Sequence, residues 1–209
     1  MLNATSLERL EAGARAVGVS LAPAEVARLG RYYDLLVTWS RRINLTRVTR
    51  PEEVVDRHFI DCLALAPRLA AGSTVLDVGS GAGFPGAVVA ITRPDLLVTL
   101  CESIGKKVAF LRALVHQLGL SCEVVDARSE ALVRAGRTFG AVVSRAVSPV
   151  PRWTRDAAPL VTPGGQLFAM VAARTDDPPP LPGFASPTVH AYTLPDGSPR
   201  ALLCWQRST

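Results

Sequence analysis

The stretch LDVGSGAGFPG, residues 76–86, places Gly79, Gly81, Gly83 and Gly86 directly after the short run Val75–Val78. A strand that runs into a glycine loop and then a helix brings backbone close to a nucleotide-like ligand, because glycine tolerates positive φ and has no side chain to keep the ligand away. About twenty residues on, at the end of a second apolar run, stands Glu102, where an acid can accept hydrogen bonds from both hydroxyls of a ribose. Loop and acid together point to an adenosine-bearing cofactor.

Two cofactor classes fit that description. Gly81, Gly83 and Gly86 spell GxGxxG, the dinucleotide pattern, but the first glycine after the strand is Gly79, which gives GxGxG instead. Pro85 also removes one N–H where a pyrophosphate needs donors at a helix N-terminus. S-adenosylmethionine has no phosphate and carries positive charge, so the acidic DVGSGAG loop suits it better. The residues favour a methyltransferase over a nicotinamide oxidoreductase.

The rest of the chain supplies the frame. The pattern predicts helices over 5–16 (capped by Thr5 and Glu8), from Pro23 through 42, and from a Thr49–Glu52 capping box through PEEVVDRHFIDCLALAPRL. From Gly72 onward, strands alternate with helices: STVLDV, LLVTLCE, SCEVVDA and FGAVVSRA, then a PGG turn leading into QLFAMVAA. This is a doubly wound α/β sheet. After the proline-rich TDDPPPLPG loop, TVHAYTL and RALLCWQR flank PDGSP with no helix between them, so the sheet ends in a reversed antiparallel hairpin. The expected division is an N-terminal helical extension, 1–71, packed on a Rossmann-like seven-stranded core, 72–209.

Composition narrows the function classes. The net charge of +5 comes from 21 arginines and two lysines against 18 acids, a balance that suits a polyanionic partner or reflects coding bias. Cys62, Cys101, Cys122 and Cys204 show no CxxC pairing, and His58, His116 and His190 no ligand spacing, so reduced core cysteines and no metal are expected. No run is long and apolar enough for a membrane span, and the N-terminus lacks a signal-peptide core. A cytoplasmic monomer is the expectation.

With the glycine loop stand CESIGKKVAFL, DARSEAL and VVSRAV, preceded by WSRRINLTRV and DRHFIDCLAL. In this order and spacing, over roughly residues 30 to 170, they resemble the bacterial ribosomal RNA small-subunit methyltransferase G family, also called glucose-inhibited division protein B. The resemblance implies a class I S-adenosylmethionine-dependent enzyme that methylates N7 of a guanine in the decoding-region loop of 16S rRNA. It implies that Gly79, Gly81, Gly83 and Phe84 line the cofactor's first loop. Glu102, Ser103, Ile104 and Gly105 would sit by ribose and adenine, Ser129 and Glu130 by the adenine, and Arg145 in the cofactor pocket. Asn44, Arg47 and His58 are the candidate substrate contacts, with Thr46 and Asp61 open between structure and substrate. Arg41, Arg42, Arg50 and Arg57 are candidate phosphate contacts beside them. No catalytic base is expected, because guanine N7 carries a lone pair in the neutral base. The chain departs from the resemblance at Gly140, where relatives often have Asp, and in FAMVAARTDD, where they carry a Lys-Gly pair. Methylation of another acceptor, or a non-catalytic RNA-binding assembly factor, are the alternatives.

Overall fold

A computed structural model describes residues 1–145, 149–172 and 178–209. Strands β1 (Thr74–Val78), β2 (Leu97–Glu102), β3 (Cys122–Asp126), β4 (Phe139–Arg145), β5 (Val161–Val171), β6 (Thr188–Thr193) and β7 (Pro199–Gln206) form one sheet in the order β3-β2-β1-β4-β5-β7-β6. The first five are parallel, and β7 runs antiparallel between β5 and β6. Strand polarity therefore switches at the C-terminal hairpin, as its helix-free spacing predicts. The sheet order reverses at β1, whose loop opens on the crevice beside β4.

The inner strands β1, β2, β4, β5 and β7 are largely apolar because both faces are covered. Successive residues point to opposite sides: Val75, Leu100, Val143 and Phe168 join one core, Leu76, Cys101, Val142 and Leu167 the other. The first core contains the N-terminal helices α1 (Ala4–Ala16) and α2 (Pro23–Ser40), through Leu10, Leu29, Tyr32 and Leu36, together with Phe110 and Leu114 of α6 (Gly105–Leu118). α5 (Gly86–Thr92) packs between β2 and the extension. The second core takes Leu132 from α7 (Ser129–Arg134) and Ala157 from α8 (Val150–Ala157).

Three local expectations are corrected. The cap of α1 is Asn3, not Thr5: its side chain accepts the Ser6 N–H at 2.8 Å, satisfying an otherwise orphaned donor. The third helix does not begin on a Thr49 capping box. Arg50 is its N-cap, and Glu52 instead accepts the Ser6 hydroxyl of α1 at 3.2 Å. Nor is that helix regular. A short α3 (Pro51–Val54) widens into a π-helix over Val55–Ile60 before α4 (Asp61–Leu63) and a 3₁₀ turn. Finally, PGG does not precede β5 but lies inside it, at a register shift between the Phe139↔Val161 and Ala141↔Gln166 pairs. Gly164 adopts φ 72° there. Of the TDDPPPLPG loop, residues 175–177 lie outside the described residues, as do residues 173–177 of FAMVAARTDD, where the departure from the family's Lys-Gly pair falls.

Candidate active site

The site is built at the carboxyl ends of β1, β2 and β4. Gly79 and Ser80 donate to the Cys101 carbonyl at 2.8 and 3.0 Å, so the loop after β1 hangs from the end of β2. Gly79, Gly81 and Gly83 take φ values of 72°, 57° and 90°, the left-handed region that other residues avoid. Their reasons differ. A Cβ on Gly79 would meet nothing within 4 Å, whereas one on Gly83 would lie 2.5 Å from the Tyr32 hydroxyl and 3.1 Å from Ala87. Gly79 keeps space open; Gly83 lets the loop pack against the helices.

Glu102 is buried, and its carboxylate accepts three backbone N–H groups: Gly81 at 3.0 Å, Ser103 at 2.8 Å and Ile104 at 2.9 Å. It thus braces the two loops that flank the crevice. A carboxylate has about four acceptor positions, so capacity remains for another donor. One strand inward, Asp77 is fully buried. Oδ2 accepts the Gly86 N–H at 2.9 Å, while Oδ1 has no partner among the described residues. Burial pushes the Asp77 carboxyl up to about 7. The sequence signal for Asp77, an acid two residues before the first loop glycine, was there to be read, but Asp77 was not among the expected site residues.

A second wall comes from the loop over 41–50, the π-helix and β4. Together with the glycine loop it encloses about 150 Å³, lined by Thr46, His58, Gly79, Gly81, Phe84 and Arg145 among others. Size does not single this cavity out, since hollows of about 490 and 550 Å³ flank α1. Its distinction is chemical: the loop glycines, a buried histidine and an arginine meet there. The Phe84 ring stacks on Tyr32 (5.3 Å between centroids) and on His58 (4.5 Å), with the Arg145 guanidinium carbon 5.0 Å from its centroid. Tyr32 in turn donates to the Ala82 carbonyl at 2.5 Å, tying α2 to the loop.

His58 is held neutral. Burial, then the neighbouring Arg145 cation, pushes it down to about 3. Arg145 Nη1 lies 3.1 Å from His58 Nδ1. Nδ1 also lies 3.0 Å from the Arg57 carbonyl and Nε2 3.0 Å from Thr46 Oγ1, so the single ring proton serves either the carbonyl or the hydroxyl. Thr46 Oγ1 also accepts the Val48 N–H at 3.1 Å. No hydrogen bond joins His58 to Asp61 among the described residues; both face Arg145 Nη1, Asp61 Oδ2 at 3.3 Å.

Other expected positions are not drawn into this cavity. Ser103, Ile104 and Gly105 follow β2, and Ser129 and Glu130 open α7 after β3, all beside the crevice rather than lining the enclosed space. Asn44 and Arg47 are exposed on either side of Leu45 and Thr46, which do line it. Arg41, Arg42 and Arg50 are exposed on the same loop. Arg57 is engaged instead with Asp196 at 2.8 Å. The four cysteines are free, and the described residues contain no cluster able to hold a metal ion. No helix among them is long and apolar enough to cross a membrane.

The profile of GidB, rRNA small subunit methyltransferase G, matches residues 25–178. The chain belongs to this family. Curated relatives called ribosomal RNA small subunit methyltransferase G include one from Anaeromyxobacter sp. (strain Fw109-5), 39% identical over 94% of this chain and 95% of its own. Another, from Anaeromyxobacter dehalogenans (strain 2CP-C), is 38% identical over 99% of this chain and all of its own (100%). The methyltransferase G match thus covers the glycine loop, Glu102, Arg145 and the π-helix in one block. Among solved structures, the precorrin-6y C5,15-methyltransferase from Geobacter metallireducens GS-15 shares the fold, with a TM-score of 0.54 at 11% identity, covering 71% of this chain and 88% of that one.

The fold is that of class I S-adenosylmethionine-dependent methyltransferases, and with the family it assigns S-adenosylmethionine as cofactor. The residues present fit that molecule. Gly79 leaves a cradle that a Cβ would fill, Glu102 ends β2 with an acceptor position to spare, and Asp77, two residues before Gly79, keeps a buried oxygen without a partner among the described residues.

Proposed function

We propose that this chain transfers a methyl group from S-adenosylmethionine to N7 of a guanine in the decoding-region loop of 16S rRNA, acting as a cytoplasmic monomer. In this reading residues 1–71 form the helical extension and 72–209 the methyltransferase core. The observation that carries it is the meeting, at the strand ends of a methyltransferase G family chain, of an open glycine cradle with a wall of Thr46, His58 and Arg145. S-adenosylmethionine, when bound, supplies a methyl group on a positively charged sulfur.

The chain's own residues bind and orient. Gly79, Gly81 and Gly83 shape the cradle with Phe84 behind it, and Glu102 receives the ribose hydroxyls on its unused acceptor positions. Ser103, Ile104, Gly105, Ser129 and Glu130 flank the adenine, and Arg145 fixes the cofactor end nearest the substrate wall. Asn44, Arg47 and His58 meet the RNA, with the exposed arginines of the 41–50 loop on phosphate. A neutral His58, held near 3, suits a reaction in which no proton has to leave the nucleophile. Catalysis then rests on alignment of N7, methyl and sulfur, and the guanine must be unstacked to enter the crevice.

The test is transfer of labelled methyl to small ribosomal subunits lacking the modification, followed by mapping of 7-methylguanosine. One labelled guanine in the decoding-region loop is the expected result. Cofactor binding without transfer would keep the fold and cofactor and move the acceptor elsewhere.

A further inference from the structure

Asp61 is nearly sequestered, and its two oxygens face different parts of the fold. Oδ2 lies 3.3 Å from Arg145 Nη1. Oδ1 accepts the Tyr192 hydroxyl at 2.7 Å and has Arg200 Nε at 3.6 Å. Tyr192 and Arg200 are cross-strand partners in the β6–β7 hairpin, which lines no part of the cavity. Two arginines therefore compete for one carboxylate, and the tyrosine hydroxyl holds one oxygen on the hairpin side so that the other stays on Arg145. The same Nη1 donates to the Arg57 carbonyl at 3.0 Å and meets His58 Nδ1. One nitrogen of the guanidinium, with two protons, thus sits among three groups: backbone carbonyl, imidazole and carboxylate.

We infer that Asp61 and Tyr192 are positioning residues that aim Arg145 over the cofactor loop, so that the C-terminal hairpin sets cofactor affinity without touching the cofactor. This rests on the proposed place of Arg145 in the cofactor pocket. A long guanidinium side chain loses rotamer freedom when it engages a ligand, and a group already held in place loses less. Removing the Tyr192 hydroxyl lets Asp61 turn toward Arg200 and loosens Arg145. The arrangement also explains why an acid and a tyrosine 131 positions apart in the chain make one of the shorter side-chain hydrogen bonds next to the site.

The experiment is a double-mutant cycle read as the dissociation constant of S-adenosylmethionine by calorimetry, using the full chain with Tyr192→Phe, Arg145→Ala and the two combined. Thermal unfolding midpoints serve as the control for folding. Tyr192→Phe is expected to weaken binding about tenfold, the scale of a hydrogen bond to a charged group, with cofactor KM rising more than kcat falls. In the Arg145→Ala background the same change is expected to add nothing, because the path runs through Arg145. Asp61→Asn, which turns an amide N–H₂ toward one of its donor partners, is expected to weaken binding and likewise to be silent without Arg145. Unchanged binding in Tyr192→Phe, with Arg145→Ala impaired, would overturn the inference and leave the site assignment standing. An equal loss in both backgrounds would overturn it too, as a general effect on stability. Unchanged binding in Arg145→Ala would remove the assignment of Arg145 and the inference with it.

Discussion

The cavity has two walls made in different ways. One is backbone: the glycine loop hung from Cys101, braced by Glu102 through three amides contributed within a few residues of the strand ends. The other is side chain: Thr46, His58 and Arg145, brought from a loop, a π-helix and a strand, with Asp61 behind Arg145, and linked to one another by hydrogen bonds. The backbone wall depends on φ angles and on the absence of Cβ atoms. The side-chain wall depends on burial and on which donor faces which acceptor. A backbone wall therefore fails all at once, while a side-chain wall is adjusted group by group.

The largest effect should come from breaking the backbone wall where it packs. Gly83→Ala combines a φ of 90° with a Cβ 2.5 Å from the Tyr32 hydroxyl. We expect a loss of about 3 kcal/mol, seen as an unfolding midpoint lower by roughly 10 °C. Gly79→Ala, with nothing near its Cβ, should cost only about 1 kcal/mol of left-handed strain yet weaken S-adenosylmethionine binding, because the methyl enters the cradle. Equal thermal shifts in the two variants would erase the distinction between packing and access.

Asp77 sharpens the comparison with pH. Its folded value of about 7 stands above the ordinary 3.8, so its contribution to stability falls as pH rises from about 3.8 to 7. Its ionised form is the one that favours a cationic ligand. Cofactor affinity should therefore rise several-fold, at most about tenfold, between pH 6 and 7.5. In Asp77→Asn, calorimetry should show that rise flattened.

His58 has the opposite sign. Its folded value of about 3 lies below the ordinary 6.5. As pH falls from 6.5 toward 3 the unfolded chain takes up a proton that the buried ring refuses, and stability is lost across that window. The stability of His58→Gln, followed by denaturant titration, should decline less than that of the parent between pH 6.5 and 4.5. A parallel decline would mean that the ring ionises in place.

The smallest effect belongs to the exposed rim. Arg47→Ala should weaken RNA binding a few-fold and lower the slope of log K against log salt by about one, with cofactor affinity unchanged. A loss of cofactor affinity would place Arg47 on the other side of the crevice.

How much of this was legible follows the same division. The glycine loop, Glu102 at the end of its strand and the helix-free terminal hairpin were readable because each is a local pattern: a φ requirement, a strand end, a missing crossover. The α1 cap moved from Thr5 to Asn3 because several neighbouring residues can cap, and the choice depends on where the helix meets Glu52 of another element. The helix after Pro51 had a 3.6-residue pattern, and nothing in its residue types announced the π segment. Asp77 was quoted inside the motif, but its burial and its orphaned oxygen exist only once β2 and β4 flank β1.

The sheet, its polarity switch, the glycine cradle and the family were carried by periodicity, glycine placement and ordered motifs along the chain. Contacts in three dimensions set the rest: His58 is neutral, Arg57 turns to Asp196, and Asp61 joins Arg145 to Tyr192. Those properties come from desolvation and from contacts between groups as many as 131 positions apart. They depend on distance in space, which spacing along a chain does not record.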